Sequence, residues 1–125
     1  MVREHMDPVL DMSVVEELLS ITDDGDPELL LDLVPMFLED GPIKVRAVIE
    51  GVAEGDYEKA ERAAHSLKGS SGNLGARQLQ NICEQLQIAT RYQKRDESKQ
   101  LAASLGGTFE QAELALRKLL ATYQG

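Results

Sequence analysis

The sequence predicts an all-α fold, an antiparallel up-down-up-down four-helix bundle with a short additional N-terminal helix. Three observations predict it. Apolar residues recur at spacings of three and four along nearly the whole chain, and the strict alternation of a half-buried strand is almost absent. The segments between the striped stretches are short and polar, which suits helices packed antiparallel to their neighbours. The 125 residues show no internal shift in composition, and a chain of that length buries one core without metal or disulfide help. One domain over residues 13–125 is therefore expected, after a flexible start over 1–12. MVREHM shows no periodicity there, and His5 is assigned no role.

Ser13 with Glu16 fits a capping box and opens the first helix, which runs to about Ile21 with Val14, Leu18 and Ile21 on one side. The DDGD turn at 23–26 ends it. Asp26 as N-cap and Pro27 at the first helical position start the second helix. Its stripe, Leu30, Val34, Phe37, Gly41, Val45, Val48 and Val52, stays in phase through Gly41 and Pro42, so one long helix, bent where Pro42 lacks its donor, is expected, with a break at Pro42, or less readily at Pro35, as the alternative. Gly55 and Asp56 supply a turn and a new cap. The third helix carries Tyr57, Ala60, Ala64, Leu67, Ser71 and Leu74 inward and stops at Gly75, a left-handed terminator. The fourth, over about 76–93, buries Leu79, Ile82, Cys83, Leu86 and Ala89. A polar turn at 94–97 with Asp96 as cap leads to the last helix, striped by Leu101, Leu105, Phe109, Ala112, Leu116, Leu119 and Tyr123.

Composition removes several function classes. A net charge of −9 opposes binding to nucleic acid or an anionic membrane, and two Phe, three Tyr and no Trp leave no platform for stacking bases. The richest apolar stretch, 29–38, is interrupted by Asp32 and Pro35, so no membrane span is expected. The single Cys83 and the absence of a secretory signal point to the cytoplasm. A monomer is expected, because the four stripes can bury against each other.

The residues that carry chemistry lie in AHSLKGSSGNLGA, 64–76. With the third helix drawn at about 100° per residue, His65 stands roughly 140° from the centre of the apolar stripe and Gly69 almost opposite it. Lys68 and Gly69 lie one turn from His65 on the same surface, and Gly72 extends the patch. Gly69, Ser70, Ser71 and Gly72 weaken the helix by about 2 to 3 kcal/mol in sum, which an ordinary surface helix would not keep. Gly69 removes the side chain that would stand beside the imidazole, so Gly69, Ser70 and Gly72 read as a flat docking surface for a second protein. Lys68 suits a negatively charged group carried on the ring, and neutral imidazole is a nucleophile near pH 7.

These residues resemble the signature of histidine-containing phosphotransfer (HPt) domains of two-component phosphorelays. His65, Lys68, Gly69, Ser70, Leu74 and Gly75 meet its pattern, and the likeness spans about residues 26–122, including the Gly55-Asp56 turn and CEQLQ at 83–87. The resemblance implies that His65 accepts a phosphoryl group on Nε2 from a receiver-domain aspartyl phosphate and passes it to another receiver. It implies that Gln87 hydrogen-bonds the ring and that Arg91 lies near the site. The implied partners are response-regulator receiver domains or a hybrid histidine kinase, with magnesium on the receiver and no cofactor of the chain's own. No GxGxxG or P-loop is present, so the chain would carry phosphate without making it from ATP. A metal site built on Glu61 and His65 lacks enough ligands, and a hydrolase would need an enclosed pocket. The alternative is an adaptor that binds a partner without chemistry.

Overall fold

The computed structural model describes residues 9–21 and 26–124. Among these residues there are five helices and no strand: α1 Met12–Ile21, α2 Glu28–Glu54, α3 Tyr57–Asn73, α4 Arg77–Arg91 and α5 Arg95–Gln124. α2 packs on α3 and α5, α4 packs on the same two, and α1 lies against the bundle. The expected extra helix on a four-helix bundle is therefore what the chain forms. His5 and most of the DDGD turn lie outside the described residues.

α2 runs unbroken through Pro35 and Pro42. Its Gly41 is a packing residue: a Cβ there would lie 2.6 Å from the Phe109 ring, which stacks on Phe37 at a centroid distance of 5.5 Å. The stripe therefore reaches across Pro42, and burial of Val45, Val48 and Val52 beyond it holds the helix together despite the missing donor.

Three turns close the bundle with one device, a left-handed residue after the helix end whose amide and the next reach back to the last carbonyls. After α2, Gly55 (φ 75°) and Asp56 donate to Val52 and Gly51. After α3, Gly75 (φ 78°) and Ala76 donate to Gly72 and Ser71. After α4, Gln93 (φ 54°) and Lys94 donate to Thr90 and Ala89, and here a side chain occupies the left-handed conformation. Asp56 caps α3 as expected, its Oδ1 accepting from the Lys59 amide at 3.1 Å.

The inward stripes of α2, α3 and α4 are buried as the spacing predicts, Leu30, Val34, Ala60, Ala64, Leu67, Cys83 and Leu86 among them, except that Tyr57 at the start of α3 is only half-buried. In α5 the buried side is Ser98, Ala102, Leu105, Phe109, Ala112 and Leu116, while the predicted Leu101, Leu119 and Tyr123 are half-buried. Three local expectations are corrected. Asp11, not Ser13, caps α1: its Oδ1 accepts from the Ser13 amide at 3.0 Å and from the Ser13 hydroxyl at 2.6 Å. The buried residue of α1 is Val15, and Ile21 is exposed. Asp96 sits inside the first turn of α5, because the tight turn at Gln93 lets the helix resume at Arg95.

Within the stretch expected to be a flexible start, residues 10 and 11 are held against the bundle. Leu10 is buried, the Asp11 amide donates to Gly75 O at 2.7 Å, and Arg77 Nε donates to Asp11 Oδ2 at 3.1 Å. A Cβ on Gly75 would lie 2.7 Å from Asp11 O, so this glycine is required for space as well as for its positive φ. The Ser13 hydroxyl, and after it Arg77, hold the Asp11 carboxyl below its ordinary value of 3.8.

Two predictions follow from this packing. Gly41→Ala should destabilise the fold by about 1 to 3 kcal/mol through the clash with Phe109, whereas Gly107→Ala, where a Cβ meets open space, should stabilise it by up to about 1 kcal/mol; urea unfolding reads both signs. A depressed carboxyl contributes stability above its unfolded pKa and loses it as pH falls through the lower folded value, so the docking of α1 should weaken below about pH 3.8. Asp11→Asn should remove that acid limb, as read by amide exchange in α1.

Candidate functional site

The site grows from the way α3 lies beside α4. Small residues on the inner face of α3, Ala60 and Ala64, and buried Leu79 and Leu86 on α4 let the two helices pack closely. The short turn through Gly75 fixes their antiparallel alignment. Four cross-helix contacts then follow one register: Glu61 meets Arg91, His65 meets Gln87, Lys68 meets Glu84, and Gly72 faces Gln80. Steps of four, three and four along α3 are matched by the same steps backward along α4, so each contact lies one turn from the next.

His65 is exposed, and Gln87 Nε2 lies 3.0 Å from its Nδ1. An amide nitrogen so placed donates to Nδ1 and leaves the ring proton on Nε2. A half-turn of the amide presents Oε1 instead, accepts from an Nδ1–H, and frees the Nε2 lone pair toward solvent. The same side chain thus fixes the ring in either tautomer. Gln87, placed on the site by family resemblance, does contact His65.

The two cations near the ring are each held by a carboxylate of the opposite helix. Lys68 Nζ lies 3.6 Å from Glu84 Oε1, and Arg91 Nε donates to Glu61 Oε2 at 3.0 Å. The sequence reading placed Lys68 and Arg91 near His65 but missed both partners. Glu84 lies within the CEQLQ segment, and only the helix register shows which residue it faces. On the outer surface of α3, Arg62 pairs with Glu58.

The predicted docking residues separate by direction. A Cβ on Gly69 would meet nothing within 4 Å, so no contact inside the molecule demands glycine there. A Cβ on Gly72 would lie 2.6 Å from Gln80 Nε2, whose amide is also held by Arg77 at 3.2 Å. Gly72 therefore serves the α3–α4 contact as well as lying on the patch. Ser70 turns the other way: half-buried, it donates to Leu67 O at 3.3 Å and lines a groove between α2 and α3.

That groove, about 400 Å³, is floored by Leu33, Phe37 and Leu74 and edged by Met36 and Ile43, both more than 60% exposed. It starts about a turn beyond His65 along α3. The sequence offered a signal for it, since Met36 and Ile43 are apolar residues of α2 outside the inward stripe. Cys83 has no part in the site: burial pushes its thiol up to about 12, so it is protonated and inert at neutral pH. Among the described residues no three His, Cys, Asp or Glu side chains are grouped to hold a metal, and no helix is long and apolar enough to cross a membrane.

Comparison with known proteins agrees with this geometry. Residues 32–124, well over half of the chain, match the model of the Hpt domain. Histidine-containing phosphotransfer protein 5 of Arabidopsis thaliana is 30% identical over 70 residues, covering 54% of this chain and 45% of that protein. Multistep phosphorelay regulator 1 of Schizosaccharomyces pombe is 28% identical over 88 residues, covering 70% of this chain and 30% of that protein. The chain thus spans less than half the length of these relatives. The crystal structure of histidine-containing phosphotransfer protein B from Pseudomonas aeruginosa PAO1 superposes with a TM-score of 0.83 over 94% of this chain and 99% of that one, at 24% identity, which shows a common fold. With the bundle, the exposed histidine on its third helix and the family match in agreement, the chain belongs to the Hpt domain family.

Proposed function

We propose that this chain is a phosphorelay intermediate in which His65 takes a phosphoryl group from a receiver-domain aspartyl phosphate and passes it to another receiver. The observation that carries this reading is the state of the imidazole: exposed on α3, fixed at Nδ1 by Gln87, and bordered by the open surface at Gly69.

The chemistry asks little of the carrier. With the proton on Nδ1 and Gln87 Oε1 accepting it, the Nε2 lone pair attacks phosphorus. The N–P bond forms as the P–O bond to the aspartyl carboxyl breaks, and the leaving carboxylate keeps the bonding pair. The ring proton stays on Nδ1 throughout, and the reverse sequence returns the group to a second receiver. Phosphoryl transfer is chiefly positioning and charge neutralisation, so Lys68 is assigned to the phosphoryl oxygens, with Arg91 in reserve one turn beyond Gln87. Magnesium is assigned to the receiver, which has to hold both an acyl phosphate and its charge.

The proposed docking surface runs from Gly69 to the groove edged by Met36 and Ile43, with Ser70 between them. Its occupant is a receiver domain, alone or as part of a hybrid kinase. The proposed compartment is the cytoplasm and the proposed state a monomer. The adaptor alternative explains the groove but gives no reason for the Gln87 contact to His65.

Incubation with phosphorylated receivers should place acid-labile, alkali-stable phosphate on the protein, and His65→Gln should abolish it; an adaptor would take no label and lose no affinity in that variant. Lys68→Ala should fold normally yet slow transfer on the order of tenfold, the scale of a lost charge-assisted hydrogen bond. Gly69 gives the sharpest test, because stability and function should move in opposite directions. Gly69→Ala should raise stability by up to about 1 kcal/mol while slowing transfer, and Gly69→Glu should block it; transfer kinetics and urea unfolding on the same samples check both.

A further inference from the structure

We propose that Glu61 and Glu84 are positioning residues that hold Arg91 and Lys68 in reserve beside His65 and compete with a bound phosphoryl group for those two cations. The inference rests on the carrier reading above and concerns the same site.

Three features of the geometry support it. The pairs occupy the contacts immediately before and after the His65–Gln87 contact, so both are one turn from the ring. The pairing is crossed: the cation of α3 is held from α4, and the cation of α4 is held from α3. All four side chains keep between 29% and 56% of their surface exposed, so the pairs are weak, water-facing contacts that a stronger anion can displace.

The electrostatic consequence has a definite sign. Before phosphorylation the ring is flanked by two neutral pairs. A phosphoryl group brings one and a half to two negative charges within a turn of two carboxylates, and only by drawing Lys68 and Arg91 away from Glu84 and Glu61 does it gain its counter-charges. The glutamates thereby limit how firmly the phosphorylated form is held. A relay intermediate benefits from this, since a group bound too tightly would not move on.

A simple staple between α3 and α4 would account for the pairs structurally, and its carboxylates would raise the phosphoryl midpoint by charge alone, so the discriminating readout is whether the effect of each glutamate needs its paired cation. The test uses the whole chain with phosphoramidate, which transfers its phosphoryl group to imidazole and releases ammonia, so no receiver is needed. Label position is checked by mass spectrometry against His65→Gln. Phosphorus NMR then gives the pH midpoint of phosphoryl ionisation, and loss of label gives the lifetime. In Glu84→Gln and Glu61→Gln the midpoint should fall below that of the native protein and the lifetime should lengthen about two- to fivefold, the scale of one exposed ion pair. Glu84→Asp should retain native behaviour, and in a Lys68→Ala background the effect of Glu84→Gln should shrink. Labelling of His65 with unchanged midpoints and lifetimes in both Gln variants would overturn this inference and leave the carrier reading standing. An undiminished effect without Lys68 would also overturn it. A native protein that takes no label on His65 would overturn both.

Discussion

The register of α3 against α4 is the constraint on which the site depends. His65 has an orienting partner only because Gln87 arrives opposite it, and the cations have counter-ions only because the flanking contacts follow in step. Two things hold this alignment. The turn through Gly75 is too short to absorb a slip, and its backbone donors are already committed to Gly72 and Ser71. The inner faces then close over Ala60, Ala64, Leu67, Leu79 and Leu86, all buried, so a shift of one residue would turn polar side chains into the core. Arg77 ties the same end to Asp11 and Gln80, linking α1 to the last of the four contacts.

Stability and the proposed function are carried by opposite faces of α3. Its inner face is buried from Ala60 to Ser71, and that burial holds in place a helix whose last turns, Gly69 to Gly72, are made of residues that weaken helices. Gly69 has open space above it, so its cost is not repaid by any contact within the molecule. Gly41 and Gly75 show the contrast, since each makes room for a neighbour, Phe109 or Asp11. Gly41 and Gly75 are thus required by the fold, whereas Gly69 is not, which fits the proposed approach of a second surface there.

The two flanks of α3 differ in kind. Toward α4 the surface is a ladder of charges and amides that surrounds the imidazole. Toward α2 it is an apolar groove with Met36 and Ile43 at its edge. The proposed chemistry and the proposed docking surface thus lie side by side on one helix, with Gly69 and Ser70 between them. Water-facing ion pairs contribute little to stability, so the ladder's value lies in where it places charge.

Helix number, and the stripe phase and most of the buried set of the four long helices, were legible in the sequence, because periodicity near 3.6 records which side of a long helix faces inward; the short α1 was not, since Val15 and not Ile21 is its buried residue. The continuity of α2 through Pro42 was legible for the same reason, as was the outward direction of His65. The motif around His65 marked the chemistry, since its helix-weakening residues have no use in an isolated surface helix. Cap positions were less legible: Asp11 displaced Ser13 because its carboxylate also meets Arg77, 66 residues away, and no local pattern encodes that. Tertiary structure alone decided that Lys68 and Arg91 rest on Glu84 and Glu61, and that Ser70 and Gly72 face opposite neighbours. Helical spacing fixes directions within one helix, whereas alignment between two helices is set by turn geometry and core packing summed over both.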